Sequence, residues 1–84
     1  MEQELSQAAF TARQGFVAGD LAAVEEASMA ISGTAKAWQL RALAKIAFLV
    51  GQAAGSRDFA AVKDLLPVLC GAVERKIQEL RINR

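Results

Sequence analysis

The sequence predicts an all-α fold: a single domain, residues 1–84, built as an antiparallel up-and-down four-helix bundle. Three observations lead there. Apolar residues recur at helical spacing in four successive segments. Gly-Asp, Gly-Ser and other short polar breaks separate these segments, leaving room only for tight connections between neighbours. Alanine, the best helix former, is the most frequent residue, while tyrosine is absent and β-branched residues are scattered. A chain of 84 residues supports one modest core and not two. Neither an internal repeat nor a low-complexity linker is apparent.

The first helix is expected over residues 2–18. Leu5, Ala9, Ala12 and Phe16 form its stripe, with Phe10 and Val17 to one side. Gly19 ends it in a left-handed conformation. Asp20 then caps the second helix, whose stripe is Leu21, Val24, Ala27, Ile31 and Ala35. Glu25 and Glu26 stand in its early turns, where the helix dipole favours negative charge. A turn is placed within residues 36–39, although neither proline nor glycine marks it.

The third helix runs on to Ala54. Leu40, Leu43, Ala47, Val50 and Ala54 are its main stripe, and Ile46, Phe48 and Leu49 widen it. A helix apolar over most of its circumference should be the most buried of the four. Ser56 is expected to cap the last helix, over residues 57–80, with the stripe Phe59, Val62, Leu66, Leu69, Val73, Ile77 and Leu80. Pro67 should kink it, because proline has no N–H to offer the carbonyl of Lys63. The core is predicted to contain Leu40, Leu43, Ala47, Val50, Phe59, Leu66 and Val73.

Composition excludes several functions. Ten Lys and Arg against nine Asp and Glu give a charge of +1, which offers no electrostatic case for nucleic acid. The short basic tail Arg81-Ile82-Asn83-Arg84 reads as a frayed terminus. Histidine is absent and Cys70 is the one cysteine, so neither a disulfide nor a Cys/His metal site can be assembled. No cofactor is expected. Cys70 lies in an apolar run and reads as a small core hydrophobe. A lone thiol fits a reducing cytoplasm. The acidic start Met1-Glu2-Gln3-Glu4 is not a signal peptide, and the longest apolar run, Ile46-Ala47-Phe48-Leu49-Val50, is too short to span a membrane. Glu25 and Glu26, adjacent in sequence, diverge on a helix, so no carboxylate pair suggests an enzyme.

The second helix has an unusual outer face. At about 100° per residue, Met29 lies nearly opposite Ile31 and Val24. Ala22, Glu26, Met29, Gly33 and Lys36 then share the outward stripe. A mid-helix glycine costs about 1 kcal/mol relative to alanine, and an exposed methionine leaves apolar surface in water. A partner approaching the backbone closely would account for Gly33. An apolar pocket on that partner would account for Met29. The plainer alternative is that Gly33 ends the helix and Met29 is an ordinary surface residue.

With these residues in place, the chain resembles the histidine-containing phosphotransfer domain, the four-helix bundle of bacterial phosphorelays. That family has a signature of the form His-x-Leu-Lys-Gly-Ser-Ala, preceded by Gly-Asp. Here Gly19-Asp20 precedes Met29-Ala30-Ile31-Ser32-Gly33-Thr34-Ala35, and Leu43 and Gln52-Ala53-Ala54-Gly55-Ser56-Arg57-Asp58 follow at similar distances. Ile31, Gly33, Thr34 and Ala35 fit the signature. Ser32 replaces its lysine, Gln39 stands where glycine is frequent, and Met29 stands at the phosphoaccepting histidine. With no histidine in the chain, transfer through histidine is impossible. Ser28, Ser32 and Thr34 are candidate replacement acceptors that lack an evident activating base.

The resemblance implies a non-catalytic pseudo-phosphotransfer domain. It would bind a response-regulator receiver domain or a histidine kinase through Ala22, Glu26, Met29, Gly33 and Lys36. The alternative is a structural or dimerisation bundle, a homodimer without a signalling partner. Neither reading involves nucleic acid or a membrane.

Overall fold

The structure, a computed structural model, describes residues 2–82. Asn83 and Arg84 of the basic tail, and Met1, lie outside the described residues. Among those described, the fold is all-α, with four helices and no strand: α1 (Glu2–Val17), α2 (Leu21–Ala37), α3 (Arg41–Gly55) and α4 (Phe59–Ile82). Consecutive helices pack on one another, and α1 also packs on α4. The result is a molecule of 39 × 20 × 17 Å, whose long dimension is set by the 24-residue α4. No described helix is long and apolar enough to cross a membrane.

Three connections share one backbone geometry. In the first, Gly19 N–H donates to Phe16 C=O and Asp20 N–H to Gly15 C=O. Gln39 and Leu40 donate in the same pattern to Lys36 and Ala35, as do Arg57 and Asp58 to Ala54 and Ala53. Each is a Schellman turn, which satisfies the last carbonyls of a helix by placing one residue in the left-handed region. That residue is Gly19 at φ 75°, Gln39 at φ 60° and Arg57 at φ 59°. Only the first is glycine, so the sequence marks the left-handed residue of that turn and gives no sign of it at Gln39 or Arg57.

Several boundaries differ from expectation for this reason. Ser56 caps the C-terminus of α3 and does not start α4. Arg57, in the left-handed region, cannot be helical, so α4 begins at Phe59. The N-cap is Asp58, whose Oδ1 accepts from Ala61 N–H at 3.1 Å. The second turn falls at residues 38–40, overlapping the expected 36–39 and running one residue past it, and Leu40 becomes the residue before α3. It offers no side-chain cap. α4 is continuous through Pro67.

The core draws on all four helices. Leu5, Ala12, Val24, Ile31, Ala47, Val50, Val62 and Leu69 are fully buried, and Leu43, Leu66 and Val73 nearly so. Two expected core members are elsewhere. Phe59 is 45% exposed and stacks on Phe16 with ring centroids 4.8 Å apart, an arrangement at the edge of the core that shields α1 where the two helices meet. Leu40 is half-buried because it sits in the turn. Phe48 and Leu49 are also surface residues, so α3 buries a stripe and not most of its circumference.

The α2–α3 pair approaches closely through small residues. Ser32 Oγ donates to Ala44 C=O at 3.4 Å, Gly51 faces Ser28 and Met29, and Gly55 faces Glu25. Numbers rise along α3 as they fall along α2, so these two helices run in opposite directions. Absence of a side chain at Gly51 and Gly55 makes room for side chains of α2 at these points.

Candidate functional site

The site begins with a cap. Asp20 Oδ1 accepts from Ala23 N–H at 3.1 Å, which satisfies one of the free donors of the first turn and sets where α2 starts. From that start, Leu21, Val24, Ala27, Ser28, Ile31, Ser32 and Ala35 turn inward. The remaining arc carries Ala22, Glu26, Met29, Gly33 and Lys36, and all five are exposed. The structure therefore brings together the whole stripe expected from the helical wheel. α2 continues through Gly33 to Ala37, so the glycine does not end the helix.

Gly33 is the flattest point of this face. A Cβ built on it would meet nothing within 4 Å. Its lack of a side chain therefore answers no packing demand among the described residues. Met29, one turn earlier, is 45% exposed. Its side chain is not aimed straight outward. The sulfur lies 2.8 Å from where a Cβ on Gly51 would sit, so the thioether lies across α3.

The hydroxyls behave differently from the signature. Ser28 and Ser32 are 0% and 2% exposed. They belong to the α2–α3 contact, and a docked partner cannot reach them. Ser28 Oγ has no hydrogen-bond partner among the described residues. Thr34 is half-buried on the other flank of α2. The serine acceptor positions are thereby closed to a docked partner by burial.

Two phenylalanines flank the face. Phe10 of α1 borders a groove with Glu26 and Ala30, and Phe48 of α3 borders a depression with Lys36. They are 55% and 40% exposed. Both stand beside the apolar stripes of their helices in the sequence, but a single-helix wheel cannot say which neighbouring helix they lean toward.

Cys70 is nearly buried at the base of a cleft between α1 and α4 that Arg13, Phe16, Pro67 and Glu74 also line. Burial pushes its thiol above the usual range; nearby Arg13 opposes this and Glu74 adds to it. Raising the thiol removes the thiolate that nucleophilic chemistry needs. Among the described residues, no three of His, Cys, Asp and Glu are grouped so as to hold a metal ion.

No family model matches the chain, and no curated protein or solved structure shows a significant match to it.

Proposed function

We propose that the chain is a pseudo-phosphotransfer domain: an antiparallel up-and-down four-helix bundle that keeps a docking face on α2 without a phosphoacceptor. It binds a receiver domain or a histidine kinase and regulates that partner by occupancy. The observation that carries this reading is Gly33. It is a glycine inside a helix, costly by about 1 kcal/mol, with open space above it and no neighbour among the described residues to explain it. Half-exposed Met29 beside it supplies an adaptable apolar contact of the kind used on binding surfaces. The sequence resemblance reaches the same two positions independently, since Met29 and Gly33 align with the histidine and glycine of the phosphotransfer signature.

The test is titration against purified receiver domains and kinase cores, with circular dichroism as the folding control. Gly33→Arg fills the open space and abolishes binding while the helix is retained, because arginine is a better helix former than glycine. Met29→Glu weakens binding by placing a desolvated charge in the contact. Two folded variants that bind as tightly as the parent would move the functional surface elsewhere and favour the structural-bundle reading.

A further inference from the structure

Residues 27–57 contain no aspartate or glutamate, while Lys36, Arg41, Lys45 and Arg57 all fall within them. Folding gathers three of these cations. Lys36 at the end of α2, with Arg41 and Lys45 on the first turns of α3, surrounds one open depression of ≈ 590 Å³ together with Leu40, Ala44 and Phe48. All three cations are exposed. None makes an ion pair among the described residues, whereas at the α1–α4 side Arg81 pairs with Glu2 at 3.3 Å and Lys76 with Glu79 at 2.7 Å. An overall charge of +1 thus conceals a concentrated positive field at one α2–α3 depression.

We propose that this depression binds a carboxylate-rich segment of a partner protein. Lys36, Arg41 and Lys45 pair with its carboxylates, and Phe48 and Leu40 pack its apolar side chains. The inference rests on the docking reading for its choice of a protein as occupant, and names the chemistry of that occupant. Charge complementarity selects an anion. The shape selects a short segment: three cations around one apolar depression between two helices fit a few carboxylates interspersed with apolar groups. A nucleic-acid backbone requires a longer basic track. Lys36 belongs to both surfaces, so a partner lying along α2 reaches the depression without moving.

The experiment uses the full chain, isotopically labelled for amide spectra, and a short synthetic peptide of Asp-Asp-Leu repeats as probe. A single-stranded oligonucleotide and vesicles containing phosphatidylserine are run in parallel. The expected result is peptide-induced amide shifts concentrated between Lys36 and Phe48, fading as salt is raised. Arg41→Gln and Lys45→Gln, both at exposed positions, each weaken the peptide by about two- to fivefold. Shifts centred on Arg13, Arg75 or Lys76, unchanged affinity in both variants, or tighter binding of the oligonucleotide or the vesicles would overturn the proposal. Gly33→Arg separates the two readings, because it alters α2 and leaves the α3 cations in place. Receiver binding that is sensitive to Gly33→Arg but indifferent to Arg41→Gln and Lys45→Gln sinks this inference alone. Peptide binding that keeps the expected pattern, with no receiver or kinase bound, sinks the docking reading alone.

Discussion

The sulfur of Met29 lies 2.8 Å from the point that a Cβ on Gly51 would occupy. A residue that the helical wheel turns outward is thus held partly down by a gap in the next helix. Met29 Cγ at 3.4 Å and Ser28 Cβ at 3.7 Å are the other nearby atoms, both in ordinary contact. Gly51→Ala therefore meets chiefly the sulfur of the flexible Met29 side chain, which must shift to admit it. It is expected to stabilise the domain by about 0.5–1 kcal/mol through helix propensity while swinging Met29 toward solvent. Urea denaturation reads the first effect and amide or methyl shifts at Met29 the second. Destabilisation would mean that the α2–α3 contact has no room for Met29 to move.

Ser28 is the counterpart inside the same contact. Its hydroxyl is fully buried and has no partner among the described residues. A buried unpaired polar group costs about 1–3 kcal/mol, and alanine is also the better helix former. Ser28→Ala is expected to raise stability by about 1 kcal/mol. Ser32→Ala should change it less, because the bond from Ser32 Oγ to Ala44 C=O, at 3.4 Å, is long and weak. A thermal melt of Ser28→Ala below the parent would show that the hydroxyl has a partner, such as a trapped water.

The three turns allow an internal comparison. Gln39 and Arg57 occupy the left-handed region that Gly19 occupies without a Cβ penalty. Arg57→Gly and Gln39→Gly should each stabilise by up to about 1 kcal/mol, and Gly19→Ala should cost about 1 kcal/mol. Denaturation midpoints of the three variants check the signs. If the glycine substitutions destabilise, the side chains of Gln39 and Arg57 contribute contacts that outweigh the backbone strain.

Cys70 gives a pH signature. Burial raises its thiol above the ordinary 9.0. A group whose folded pKa is raised contributes stability that is fully present below the unfolded value and is lost as pH climbs through the folded one. That contribution should fall away above pH 9 and vanish in Cys70→Ala. At lower pH, alkylation of the native thiol should be slower than in urea. Equal rates would show that Cys70 is accessible.

Much of the fold was legible because helices announce themselves locally. Leu5, Val24, Leu43, Val62 and Val73 lie on stripes that periodicity alone identifies, and Gly19-Asp20 combines a left-handed stop with a cap. Asp58 was missed as a cap because Arg57 carries no sign of the left-handed backbone it adopts. Phe59 looked like core because it continues the α4 stripe. It lies at that helix's first residue, where the bundle is open enough for it to stack on Phe16.

The sequence by itself determined the helical class and the shared, exposed face of Ala22, Glu26, Met29, Gly33 and Lys36. Both follow from the 3.6-residue period within a single segment, which needs no knowledge of neighbours. Only the tertiary structure decided what stands on either side of that face. It closed Ser28 and Ser32 into the α2–α3 contact, laid Met29 over Gly51, and brought Arg41 and Lys45 beside Lys36. Those relationships depend on how closely two helices approach and in what register, which the small residues of α3 permit but no single-helix pattern specifies.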